Sequence, residues 1–274
     1  MCAFAANSLL CRIALQGQLI DPASFATLRV AAGAALLVWW LRRTGARLGA
    51  VRADWIGAAS LAAYLLPFTL AYLTLPAGTG ALILFGSAQL TMFAVGVYRG
   101  ERFSVLCWAG LGLAVVGFIV LLAPGLAAPP AVGATLMGIA GVAWGVYSLR
   151  GQATDDPLGA TAKNFLLVTP CALGINVLSV GATHVSMAGA LFAIGSGTIA
   201  SALGYVIWYS ALRHLTALSA ATVQLSVPVL AAFGGVLFLG ESITPRLVGA
   251  SLAILGGITV VSRQRLRPVV PAEV

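Results

Sequence analysis

Charged side chains are scarce in this chain, acids scarcer, and histidine almost missing. Of 274 residues 8% are charged. A soluble domain carries roughly a quarter, so water is excluded as the main solvent. Seven acids stand against fifteen basic residues. In a nucleic-acid binder such an excess gathers on one polar face with interleaved aromatics. Here it lies between apolar runs, which points to a membrane and away from nucleic acid. His184 and His214 both fall at the ends of apolar runs. Gly195-Ser196-Gly197 therefore lacks the buried general base that a nucleophilic serine needs. The cysteines (Cys2, Cys11, Cys107, Cys171) lie inside apolar runs without metal-ligand spacing and read as small packing residues. Phosphate-binding glycine loops and paired carboxylates are also missing, so neither an enzyme, a metal nor a cofactor is expected.

What is present is apolar. Such residues make up 60% of the chain, and mean hydropathy is +1.02. A spanning helix needs about 20 mostly apolar residues. Polar, Pro and Gly breaks leave ten such runs, near 2–19, 23–42, 54–74, 77–98, 103–122, 131–150, 160–181, 186–210, 217–239 and 245–262. Met1 leads almost directly into the first run with no basic leader, so no removable signal peptide is expected.

The runs repeat. Residues 79–121 and 219–261 share an apolar run, a Gly-Glu turn and a second Gly-rich run at an offset of 140 residues. Leu90/Leu230, Phe93/Phe233, Gly100/Gly240, Glu101/Glu241 and Gly117/Gly257 are in register, and Asn7-Ser8-Leu9 matches Tyr147-Ser148-Leu149 at the same offset. The chain reads as one unit written twice: 1–123, a Pro-rich link at 124–130, 131–263, and a tail at 264–274. With a cytoplasmic N-terminus, twelve Arg/Lys fall in inner segments and Arg246 alone in an outer loop, which places both termini in the cytoplasm. Five spans per half make the repeat inverted, an architecture of transporters with a site near the midplane.

Ten helices in a 5+5 inverted repeat, the Gly-Glu turn before the last helix of each half and an Arg early in the second helix resemble the drug/metabolite transporter (DMT) superfamily. Within it the chain is most similar to the EamA group, which includes the YddG-type amino-acid exporters. The resemblance implies an all-α inner-membrane protein in which helices 5 and 10 are peripheral and the other eight surround a cavity. It also implies export of amino acids or similar small metabolites.

Polar residues inside spans are costly and face a cavity or a partner helix. Asn7, Ser8 and Gln16 form a stripe on the first helix, and Trp144, Tyr147, Ser148 and Gln152 repeat it on the sixth. Tyr64 and Phe68 on the third helix match Ser201, Tyr205 and Trp208 on the eighth, while Phe85 and Gln89 come from the fourth. Together they suggest an aromatic-walled cavity with neutral hydrogen-bonding groups, suited to a small zwitterion. Packing between helices is the plainer alternative. For Tyr72, Trp208 and Tyr209, near a helix end, a place in the interfacial aromatic belt is as good a reading.

Arg12, Arg29 and Lys163 are candidate gate or carboxylate contacts. Arg29 and Lys163 are expected near opposite mouths, and Arg12 is expected to snorkel. Glu101 and Glu241 are expected to cap helices 5 and 10. Pro67, Pro170 and Pro228 interrupt spans and are candidate hinges. Small-residue faces such as Gly110-x-x-x-Ala114, Gly249-x-x-x-Ala253 and Ala253-x-x-x-Gly257 suit close packing within the monomer or a homo-oligomer contact. No carboxylate lies inside a span, which argues against a multidrug pump built on a membrane Glu and against obligatory proton coupling. A carrier of phosphorylated sugars would need several cations in its cavity. A passive channel would not need the inverted repeat.

Overall fold

The computed structural model describes residues 1–45, 54–100, 103–125, 128–152, 154–179, 181, 183–212 and 223–264. The described residues contain no strand, only an isolated bridge between Ile20 and Val185. The helices are α1 (Cys2–Gln16), α2 (Pro22–Thr44), α3 (Trp55–Ala71), α4 (Ala77–Tyr98), α5 (Val105–Leu122), α6 (Ala131–Gly151), α7 (Pro157–Leu178), α8 (Met187–Leu212), α9 (Ser226–Leu239) and α10 (Pro245–Gln264). Six of them, α2 and α4 to α8, are long and apolar enough to cross a membrane.

The helix starts follow from local chemistry. Asp21, Asp54, Ser104, Asp156 and Ser186 each accept a hydrogen bond from the backbone N–H three residues on. This satisfies one of the free donors of a first turn. Pro157 follows such a cap, so α7 begins there and not near 160. At the other end of a helix, Gln18 takes a positive φ of 49° and α1 stops at Gln16. Gln152 lies one residue beyond α6. Pro67 and Pro170 do sit inside helices. Pro228 stands at a break: Val223 and Gln224 are helical, Leu225 is a turn and α9 starts at Ser226, so the N–H that Pro228 lacks is the one that would bond back to Gln224 across the break. The expected start of that helix near 217, the Glu101 turn and the tail lie outside the described residues.

Packing runs mainly between the two halves of the chain. The principal partners are α5 with α10, α3 with α6, α4 with α6, α2 with α7, α4 with α9, α2 with α8, α1 with α9, α3 with α7 and α1 with α8. Exchanging helix n with helix n+5 maps this set onto itself. The pair α5/α10 stands aside and, among the described residues, packs otherwise mainly against α4. Gly110, Gly117 and Gly257 meet the partner helix inside the monomer, whereas a Cβ on Gly249 would meet nothing within 4 Å. A Cβ on Gly110 would lie 2.7 Å from the Gly257 carbonyl, and one on Gly117 would lie 2.7 Å from Ile254. Large apolar side chains such as Trp55, Ile119, Phe233 and Leu252 face outward, while Arg29, Asn7, Ser8 and Ser201 are buried. That distribution is apolar outside and polar inside, as a bilayer requires.

Candidate functional site

The polar centre is assembled by α1, α2, α3, α6 and α8. Arg29, on α2, is 1% exposed and makes no ion pair with a carboxylate among the described residues. Its Nε donates to Ser201 Oγ at 2.9 Å, and its Nη2 donates to Tyr64 Oη and Tyr205 Oη at 3.0 Å each. The guanidinium also lies 5.2 Å from the Tyr64 ring centre and 4.9 Å from that of Phe68, within cation–π range. Asn7 Nδ2 donates to Tyr64 Oη at 3.0 Å, and Ser196 Oγ donates to Asn7 Oδ1 at 2.6 Å. Burying a lone cation costs several kcal/mol. These oxygens and π-faces offset part of that cost without cancelling the charge.

Two local features put Arg29 there. Gly33 and Gly197 let the backbones of α2 and α8 meet: a Cβ on Gly33 would lie 2.9 Å from the Gly197 carbonyl, and one on Gly197 would collide with the backbone of Arg29. Around Gly197, α8 is π-helical from Ser196 to Leu203. A regular α-helix would turn residues five apart by about 140° relative to each other. The wider π turn brings Ser196 to Asn7 and Ser201 to Arg29 together, as such bulges often do at functional sites. Arg29 therefore sits at the centre and not at a mouth, because this crossing holds α2 against the core.

In front of Arg29 is a small cavity lined by Phe4, Asn7, Ser8, Tyr64, Phe68, Leu84, Phe85, Trp144 and Tyr205. Trp144 packs against Tyr205 at 4.9 Å between ring centres and against Tyr64 and Phe4 at 5.4 Å each. The cavity measures about 10 Å³, room for about one water-sized particle. In this conformation the expected substrate chamber is therefore closed around its own walls. Trp144 Nε1 and Ser8 Oγ line it, are buried, and have no hydrogen-bond partner in the protein.

Other expected site residues lie elsewhere. Gln89 donates from α4 to Gln224 at 2.9 Å, so its amide is taken up in a contact away from the cavity. Trp208 is buried but stands behind the wall, 6.0 Å from the Phe4 ring. Tyr147 stacks on Tyr205 at 5.9 Å and on Tyr209 at 5.1 Å, forming with buried Ser148 a separate layer beside the cavity. Tyr209 Oη donates to the Tyr147 carbonyl at 2.9 Å. Tyr72, Trp208 and Tyr209 are thus interior residues and not belt residues. Lys163 is half-buried on α7 and does not line the cavity.

Both ends beyond the cavity are tied. One turn past Ser8 on α1, about 6 Å along the axis, Arg12 pairs with Glu241 at 3.3 Å. Arg12 Nη1 also donates to the carbonyls of Tyr72 and Leu73 at 2.9 and 3.0 Å. Glu241 Oε2 accepts from the Ala77 N–H at 2.8 Å. Arg12 does not snorkel, and Glu241 serves α4, because the α9–α10 turn reaches across to the α3–α4 corner. Thr244 supplies the start of α10 instead. This Glu241 end opens into a vestibule of about 460 Å³ lined by Arg12, Gln16, Glu241 and Arg246 among others. Nearby, Asp21 accepts from Ser24 and His184 amides. Partial burial pushes its carboxyl up, but these hydrogen bonds outweigh that and hold it below the usual range.

At the opposite, Asp54 end, Arg150 reaches Asp54 with two hydrogen bonds of 3.1 and 3.0 Å. Partial burial raises the Asp54 carboxyl, yet Arg150 and the Gly57 N–H hold it below its usual value.

The EamA-like transporter family model matches residues 131–263, the second half. An uncharacterized protein of Pseudomonas aeruginosa is 47% identical over 97% of this chain and 93% of its own. The threonine/homoserine exporter RhtA of Escherichia coli K12 is 26% identical over 72% of this chain and 67% of its own. A probable terminal-alkyne amino-acid exporter of Streptantibioticus cattleyicolor is 26% identical over 77% and 72%. A solved crystal structure superposes with a TM-score of 0.70 at 20% identity, over 97% of this chain and 98% of that one, and shares the fold. A bundle of apolar helices with its polar groups turned inward, a half-chain matching the family model and exporters among its relatives make this chain a multi-pass membrane transporter of the EamA-like family, in the DMT superfamily.

Proposed function

We propose that the protein is an inner-membrane exporter of amino acids, broad in specificity and including neutral and aromatic ones and related small metabolites. The carrying observation is the cavity that sits between the halves with hydrogen-bond donors on its wall and a buried guanidinium behind them. Tyr64 and Tyr205 oxygens both accept from Arg29, which leaves the pair a hydroxyl proton to donate and strengthens it as a donor. With Trp144 Nε1 they suit a carboxylate. The faces of Phe4, Phe85 and Trp144 suit an ammonium group and an apolar side chain. Two relatives are named as amino-acid exporters, which favours the same reading.

In this account the ten helices form two inverted five-helix halves with both termini cytoplasmic. The exchange of helix n for n+5 in the packing supports the repeat. Arg42, Arg43, Arg99 and Arg150, all at the Asp54 end, support that end as the inner one. Substrate enters past Lys163 and Asp54–Arg150, binds between Asn7, Ser8, Tyr64, Trp144 and Tyr205, and leaves when Arg12–Glu241 parts. Pro67 and Pro170 allow α3 and α7 to flex as one half rocks on the other.

A multidrug pump for cations fits poorly, because a buried cation repels that substrate. Phosphorylated sugars fit poorly because Arg29 is the one fully buried cation among the described residues. Counterflow in proteoliposomes loaded with amino acids, sugar phosphates and cationic drugs tests the proposal. Exchange of several neutral or aromatic amino acids is expected, without a fixed proton stoichiometry. Exchange of phosphorylated compounds only would refute it.

A further inference from the structure

We infer that the central cavity is also a halide site, filled by one small inorganic anion when no substrate is bound. The inference shares with the transport reading only the claim that this cluster takes an acidic group. The cavity of about 10 Å³ is too small for an amino acid and right for one particle of water size. Its wall is rich in donors. Trp144 Nε1 and Ser8 Oγ are buried without a partner in the protein, and the Tyr64 and Tyr205 hydroxyls both accept from Arg29 Nη2, which leaves the pair a proton to donate. The Asn7 carbonyl oxygen, an acceptor on the wall, is already engaged by Ser196.

Water could serve such donors, but it leaves the charge behind them unbalanced. Arg29 has no carboxylate partner among the described residues, and its charge lies about 5 Å from two of the rings that line the cavity. A halide supplies the missing charge and several acceptor directions at once. A substrate carboxylate would supply the same two things, so the two compete. The central cation is then never bare while the empty carrier reorients.

The test needs no substrate. The purified full chain in nanodiscs is heated in sodium chloride, bromide or gluconate at one ionic strength. Chloride and bromide are expected to raise Tm saturably over gluconate, whose size excludes it from the closed cavity. Arg29→Gln should abolish the difference, and Trp144→Phe, which removes one donor and keeps the ring, should weaken the halide several-fold. Should Arg29→Gln fail to fold, Trp144→Phe decides by its weakened chloride and bromide dependence. Equal Tm in chloride and gluconate overturns the inference. So does a halide effect that Arg29→Gln retains, or, if that variant does not fold, a halide effect that Trp144→Phe leaves at full strength. Counterflow separates the two claims. Amino-acid exchange without a halide effect sinks the halide site and leaves the exporter. A halide effect without amino-acid exchange does the reverse. If both hold, external chloride raises the apparent KM for amino acid and leaves the maximal rate unchanged.

Discussion

At the Glu241 end the cavity is closed by an ion pair whose side chains are each 12% exposed. At the Asp54 end the pair is 46% and 25% exposed, and the closure beneath it is a layer of tyrosines. The half-buried pair is woven into helix ends: Arg12 also holds the last carbonyls of the α3 corner, and Glu241 the first amide of α4. Losing either partner strands a charge, which is costly in proportion to burial. The exposed pair lies in water and is worth well under about 1 kcal/mol. On the proposed account one end is held shut by charge and the other by packing, and the two should yield to different substitutions.

The largest effect is expected at the Glu241 end. Cys11 lies next to Arg12 and is fully buried, so with Cys2, Cys107 and Cys171 replaced by Ser it reports opening there. Glu241→Gln should speed its labelling by a membrane-impermeant maleimide about 30-fold, equivalent to about 2 kcal/mol. An unchanged rate would mean that the pair is not a gate. At the Asp54 end, Tyr209→Phe deletes the hydrogen bond to Tyr147. It should speed labelling of a cysteine placed at Ser148 about fivefold, the worth of about 1 kcal/mol. Asp54→Asn should change the same rate by less than about threefold. If it matches Glu241→Gln, the contrast between the ends collapses.

The smallest effect is a pH dependence. The folded carboxyl of Asp54 titrates below its ordinary value. Its contribution is therefore present above about pH 4 and fades as pH falls through the folded value. Wild type should lose slightly more Tm than Asp54→Asn on acidification below pH 4, and equal losses would remove Asp54 from the account.

Most of the helices were legible because long apolar runs and Asp, Ser and Pro starts act locally. The proposed repeat is read from the Gly-Glu turns and from the stripe of Asn7 and Ser8 against Tyr147 and Ser148. The centre was read only in part. Spacing places Tyr64, Trp144 and Tyr205 on inward faces, yet it does not give depth, so Arg29 looked like a mouth residue. Gly33 and Gly197 were a usable signal for the close crossing. The π turn at Ser196–Leu203 leaves no signature in a propensity pattern. Partners such as Arg12 and Glu241, or Gln89 and Gln224, lie 229 and 135 residues apart, beyond any local rule.

The central claim is that the donor cluster in front of Arg29 reads a carboxylate. The most direct measurement is counterflow of labelled phenylalanine with two unlabelled competitors, phenylalanine itself and phenethylamine, which has the same ring and ammonium group but no carboxylate. The account predicts competition by the amino acid and at least about 30-fold weaker competition by the amine, the worth of one charge-assisted contact. It further predicts that Arg29→Gln erases the difference. Equal competition in the wild type would contradict it.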